Sequence, residues 1–122
     1  MIMAQFVRFA GVGVIATAIH YVVLIALVQL LSVEPIRASA IAFVIAAVCN
    51  YLLNYHFTFA SGAKHKIAVA RFALVAGAGL FLNTLTMFYL IRLLATPYLV
   101  AQITATVLVL SWNFFANRKW TF

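Results

Sequence analysis

The stretch NYLLNYHFTF, Asn50–Phe59, is written a second time as NFFANRKWTF, Asn113–Phe122. The offset is 63 positions (113 − 50), and with no gap it also lays Arg8-Phe9-Ala10 on Arg71-Phe72-Ala73. An internal repeat decides architecture before any local propensity does. Asn50, Asn54, Thr58 and Phe59 return as Asn113, Asn117, Thr121 and Phe122. The retained positions are mostly polar or aromatic, in a chain otherwise built of Leu, Val, Ala and Ile. Function is therefore sought there first.

The 122 residues are 68% hydrophobic and only 7% charged, with a mean hydropathy of +1.18. Soluble domains carry about 25% charged residues, so this composition does not cover a water-facing surface. It belongs in a bilayer. The net charge of +7 comes from residues set singly at the ends of apolar runs. That placement fits topology and anionic headgroups better than nucleic acid, which is not expected as a partner. Cys49 is the only cysteine, so no internal disulfide forms. The first apolar run is longer than a signal-peptide core and belongs to the repeat, so a cleaved leader is not expected.

A membrane-crossing helix needs about 20 apolar residues. Four runs qualify: Phe9–Leu31, Ile36–Tyr55, Ala68–Leu94 and Tyr98–Ala116. They are separated at Ser32–Pro35, Ala60–Lys66 and Ala95–Pro97, where Pro35 and Pro97 suit the first turn of a helix. Strict apolar/polar alternation is absent, which excludes strands. The fold class is all-α: a polytopic membrane protein of four transmembrane helices, built from two parallel two-helix repeats. The chain is read as one transmembrane domain over 1–122, with repeats at about 5–59 and about 68–122.

Arg8, Lys64, Lys66, Arg71, Arg118 and Lys119 collect on one side, against Arg37 and Arg92 on the other. The basic side is cytoplasmic by the positive-inside rule, which places both termini there. Each repeat has an even number of spans, so the two copies enter the membrane in the same sense. Ala38 and Ala42 correspond to Ala101 and Ala105, spaced for close helix packing. Gly11, Gly13, Gly77 and Gly79 are expected to thin the odd helices in the same way. Glu34 and Arg37 are expected to pair at the outer mouth, contributing little.

Within the apolar phase, Asn50 and Asn54 share one helix face, as do Asn113 and Asn117. Two readings stand for these amides: interhelical hydrogen bonds that join the repeats, or the lining of a polar site. His20 and Asn83 are also repeat partners. Each lies twelve residues beyond its arginine, about 18 Å along a helix and so near the midplane. An intramembrane titratable group is a functional hypothesis, set against a neutral histidine that bonds a neighbouring helix. Gln102 is assigned to packing. Arg8, Arg71, Arg118 and Lys119 form a basic ring that serves either as a topology signal or as a phosphate clamp. Tyr55, Phe57, Phe59, Trp120 and Phe122 read as an interfacial aromatic belt.

Glu34 is the only carboxylate side chain, so no acid/base pair exists. There is no Gly-rich phosphate loop, and His20, His56 and His65 lack ligand spacing. No catalytic residue, metal or cofactor is expected, and the chain does not read as an enzyme. The missing membrane-embedded carboxylate also argues against a proton-coupled drug exporter.

The ending Asn-Arg-Lys-Trp-Thr-Phe, and the stretch GVGVIATAIHYVV at Gly11–Val23, resemble the GtrA-like family of small four-helix membrane proteins. The resemblance covers essentially the whole chain in length, helix count and motif order. It implies a bacterial cytoplasmic membrane protein that moves polyprenyl-phosphate-linked sugars to the outer leaflet for surface polysaccharide. Carried onto this chain, it implies functional roles for Arg8, His20, Asn50, Asn54, Arg71, Asn113, Asn117, Arg118 and Lys119. The sequence departs from symmetry at Tyr55-His56, where the second copy has Arg118-Lys119. Four short helices enclose little volume, so a homodimer is expected, in contact with membrane lipids. The alternative is a non-transporting anchor or scaffold that recruits a glycosyltransferase partner.

Overall fold

A computed structural model describes residues 2–53 and 65–116, with four α-helices among them and no strand. Helix α1 spans Ile2–Gln29, α2 Pro35–Leu53, α3 His65–Phe88 and α4 Tyr98–Ala116. A π-helical turn, Tyr89–Leu93, extends α3. Helix α1 starts well before its apolar run, because Met, Ala, Gln and Arg are all good helix formers. Ala10–Gln29, Pro35–Leu53 and Ala70–Leu93 are long and apolar enough to cross a bilayer, while the apolar part of α4, Tyr98–Asn113, is shorter. At 1.5 Å per residue the whole of α4 is about 28 Å long, close to the hydrocarbon thickness.

The two helix connections repeat each other in backbone detail. Ser32 and Ala95, 63 positions apart, both take a left-handed conformation, with φ of 56° and 53°. Just beyond them, the Val33 N–H donates to the Leu27 carbonyl and the Thr96 N–H to the Leu90 carbonyl, each at 2.9 Å. A single left-handed residue thus turns the chain and satisfies a helix-end carbonyl in both copies. Pro35 opens α2 in its first turn, and Pro97 immediately precedes α4. Glu34 caps α2, accepting from the Arg37 backbone N–H at 3.0 Å. Its ion pair, however, is with Arg92 at 3.2 Å. The expected Glu34–Arg37 side-chain pair is corrected accordingly: Arg37 lies three residues into the helix and offers its amide, while Arg92 reaches across from the end of α3.

The buried face of every helix follows the same offset. Val12, Ala16, His20 and Leu24 are buried on α1, and Val75, Gly79, Asn83 and Met87 on α3. Ala38, Ser39, Ala42 and Ala46 are buried on α2, and Ala101, Gln102, Ala105 and Val109 on α4. Ala38, Ala42, Ala101 and Ala105 are wholly inaccessible, as expected of residues that let backbones approach where no hydrophobic drive acts between helices. Leu24 packs with Ala38 and Ala42, and Met87 with Ala101 and Ala105. The outer surface is apolar, with Val14, Val22, Phe81, Ile103 and Val107 all exposed. That is the pattern of helices solvated by lipid.

Of the four glycines expected to thin the odd helices, only Gly79 does so. A Cβ there would lie 3.2 Å from the Phe43 ring tip and 3.5 Å from Val109. At Gly11, Gly13 and Gly77 it would meet nothing within 4 Å among the described residues. These three sit off the buried i, i+4 stripe, which is why they carry no packing role. Helix α1 packs along α2, α2 along α3 and α3 along α4, whereas the backbones of α1 and α4 barely meet.

Candidate polar site in the bundle core

Where the four buried faces converge, the apolar core is interrupted by polar side chains. Ser39 of α2, Asn83 of α3 and Gln102 of α4 are each no more than 1% exposed. Asn83 Nδ2 donates to Ser39 Oγ at 2.8 Å, Ser39 Oγ to Gln102 Oε1 at 2.6 Å, and Gln102 Nε2 to Asn83 Oδ1 at 2.9 Å. The bonds run in one direction around a closed ring, so each group donates once and accepts once. Such chains polarise one another cooperatively in a low dielectric. The ring couples the two amide orientations, because flipping one alone would set like groups face to face across the Gln102–Asn83 contact.

His20 of α1 completes the centre. It is 7% exposed, beside the Gln102 side chain, and its Nε2 has no hydrogen-bond partner among the described residues. Phe43 of α2 meets the imidazole edge-on at 6.2 Å, and Tyr21 lies tilted against it at 5.5 Å. A buried, unpaired polar atom costs roughly 1–3 kcal/mol. The centre therefore offers an unused acceptor or donor within an aromatic wall, and no charged side chain takes part in the hydrogen-bonded ring.

The other expected site residues fall at different levels. Asn50 and Asn113 are half-buried and continue the stripes Ala38-Ala42-Ala46 and Ala101-Ala105-Val109 by one turn. Asn50 is seven positions beyond Phe43, about 10 Å along the helix, so it lies well below the imidazole. The structure does not gather His20, Asn83, Asn50 and Asn113 into one pocket; they form two tiers on a shared face. Arg71 is exposed near the start of α3, next to Phe72, which stacks against Tyr51 at 5.2 Å. Asn54, Asn117, Arg118 and Lys119 lie outside the described residues, as do the aromatic belt and the Arg8 side chain.

Sequence reasoning placed Gln102 in packing and passed over Ser39. A signal was present: Ser39 and Gln102 are 63 positions apart, as are His20 and Asn83. The core polar set is thus two repeat pairs, one on the odd helices and one on the even.

At the α1–α2 connection, burial alone would raise the Glu34 carboxyl. The N–H groups of Arg37 and Ile36 and the Arg92 guanidinium outweigh it, holding the group below the usual carboxylate range.

These features define a class: a small all-helical membrane protein, lipid-facing outside, with a hydrogen-bonded polar centre. The family follows from the sequence: residues 8–122 match the family described as GtrA/DPMS, transmembrane domain, and the chain belongs to it. Membership supports involvement in the handling of polyprenyl-phosphate-linked sugars. No curated relative and no solved structure matches the chain.

Proposed function

We infer that this protein translocates a polyprenyl-phosphate-linked sugar across the bacterial cytoplasmic membrane, supplying cell-surface polysaccharide synthesis. The observation that carries this reading is the unpartnered His20 Nε2, buried beside a neutral polar ring at mid-helix depth. A hydroxyl-rich head group crossing hydrocarbon needs replacements for its water, and each unreplaced hydrogen bond costs several kcal/mol. Imidazole and amide groups supply them without holding a charge. In this reading Arg8, Arg71, Arg118 and Lys119 attract the phosphate at the cytoplasmic face. Asn50 and Asn113, with Asn54 and Asn117, form the lower polar tier. His20, beside Gln102 of the ring, and Asn83 within it form the upper tier, and the polyprenyl tail stays in lipid. Both termini are cytoplasmic, and a homodimer enlarges the path.

The test is reconstitution in liposomes with a labelled polyprenyl-phosphate sugar. Purified folded protein accelerates leaflet exchange over empty liposomes, and His20→Ala abolishes the gain. No acceleration by folded wild-type protein would sink the reading.

One observation favours a second reading, a membrane anchor or scaffold for a glycosyltransferase. The Ser39–Asn83–Gln102 ring engages all three polar side chains within the protein, as packing alone requires. A stable co-purifying glycosyltransferase, with activity indifferent to His20→Ala and Asn113→Ala, would favour it.

A further inference from the structure

The two seams between the repeats are not equivalent. A two-fold relation between the halves would make the α1/α4 seam a copy of the α2/α3 seam, yet α2 and α3 pack closely while the backbones of α1 and α4 barely meet. The wider seam is closed by side chains. Tyr21 Oη and Thr106 Oγ1 share a hydrogen bond at 2.7 Å, and Gln29 Nε2 donates to Tyr98 Oη at 2.9 Å. The positions 63 removed from Tyr21 and Thr106 are Thr84 and Phe43, a pair that cannot form a hydroxyl bridge. Outside the tight seam lies an apolar groove of about 220 Å³ lined by Ile36, Phe81, Thr84, Leu85 and Phe88.

The polar seam leads to the polar centre. Tyr21 adjoins His20 in sequence, with ring centroids 5.5 Å apart. Thr106 lies one turn from Gln102, and its hydroxyl also donates to the Gln102 carbonyl at 2.8 Å. Since that proton is engaged, the Tyr21 hydroxyl is the donor across the seam. A hydroxyl-bearing ligand can exchange bonds with Tyr21 and Thr106 without leaving either unsatisfied, whereas the polar contact across the α2/α3 seam, Asn83 to Ser39, is locked into the closed ring.

We propose that the α1/α4 seam is the lateral passage by which the hydroxylated head of a membrane-embedded lipid reaches His20, with Tyr21–Thr106 and Gln29–Tyr98 as its two latches. This rests on the translocation reading and assigns it a route. The tail trails through the seam into lipid, so the head crosses without the apolar chain entering the core.

The test crosslinks each seam in turn in the full chain, on a Cys49→Ser background, with a short reversible bis-methanethiosulfonate reagent. Gln29→Cys with Tyr98→Cys ties α1 to α4, and Glu34→Cys with Arg92→Cys ties the α1–α2 connection to the end of α3. Crosslinking the first pair brings exchange of the labelled polyprenyl-phosphate sugar down to the empty-liposome rate, and reductant restores it. Crosslinking the second pair leaves exchange at its uncrosslinked rate. Tyr21→Phe, which removes one latch bond, raises exchange about two- to tenfold, the factor a single neutral hydrogen bond represents. Exchange that persists with α1 tied to α4, or that Tyr21→Phe leaves unchanged, overturns the passage and leaves translocation standing. Absence of exchange in the uncrosslinked folded protein overturns both.

Discussion

The Ser39 hydroxyl donates to the Gln102 side-chain carbonyl at 2.6 Å, and these two residues occupy the same position in the two halves of the chain. The contact therefore lies where the repeats meet, and Asn83 closes it into a ring. His20, the repeat partner of Asn83, stands beside the ring with an unpaired nitrogen. The repeat places four polar positions in the core, three of them mutually bonded and the fourth, His20, with its Nε2 unpaired among the described residues.

Cutting the ring strands its remaining members. Gln102→Leu leaves Asn83 Oδ1 without its donor and Ser39 without its acceptor, and lowers stability by about 1–3 kcal/mol. Replacing all three, as Ser39→Ala, Asn83→Leu and Gln102→Leu together, costs less than the sum of the single changes, because no buried partner is stranded. Denaturation by sodium dodecyl sulfate in mixed micelles measures both.

Stability and transport separate at His20. His20→Leu removes a buried unpaired nitrogen and keeps the apolar contact with Phe43, so stability is unchanged or raised by up to about 2 kcal/mol. Lipid exchange is lost in the same variant. A His20→Leu protein that unfolds more easily than wild type would show the imidazole to be a structural hydrogen-bonding group.

The glycines differ in consequence. Gly77→Ala adds a methyl group into open surroundings and gains helix propensity, raising stability by up to about 1 kcal/mol. Gly79→Leu drives a side chain into Phe43, Val109 and Trp112 and costs at least about 2 kcal/mol. Thermal unfolding in one detergent ranks the two.

Acid loosens the Glu34–Arg92 clasp. The Glu34 carboxyl has a folded-state value below its unfolded one, so its contribution is complete above the unfolded value and is lost as pH falls through the folded value. Stability of the wild type declines across that acid window, while Glu34→Gln is flat there and equals the acid form of the wild type. The difference is small, since Arg92 and Glu34 are both partly exposed. Stability against pH for the two proteins reads it directly.

Much of the architecture was legible in composition and repetition. Run lengths located the helices, Pro35 and Pro97 marked two helix starts, and Ala38, Ala42, Ala101 and Ala105 identified the packing faces. The repeat also picked out His20 and Asn83 as partners. Glycine counting misled at Gly11, Gly13 and Gly77, because a small residue permits close approach only on the face that another helix meets. The partner of Glu34 was not legible either, since Arg92 lies 58 positions away and reaches it only through the bundle.

The repeat in NYLLNYHFTF and NFFANRKWTF, with its apolar runs, determined by itself that the chain is a membrane protein of paired helices with polar positions in register. Spacing along a helix sets which face a residue occupies, and duplication ensures that both halves present the same face. Tertiary structure alone decided which of those polar groups bond one another and which is left over. It also closed one seam by backbone packing and the other by Tyr21, Thr106, Gln29 and Tyr98. Those outcomes depend on angstrom-scale approach between helices, which small changes in side-chain volume alter without disturbing the periodic pattern.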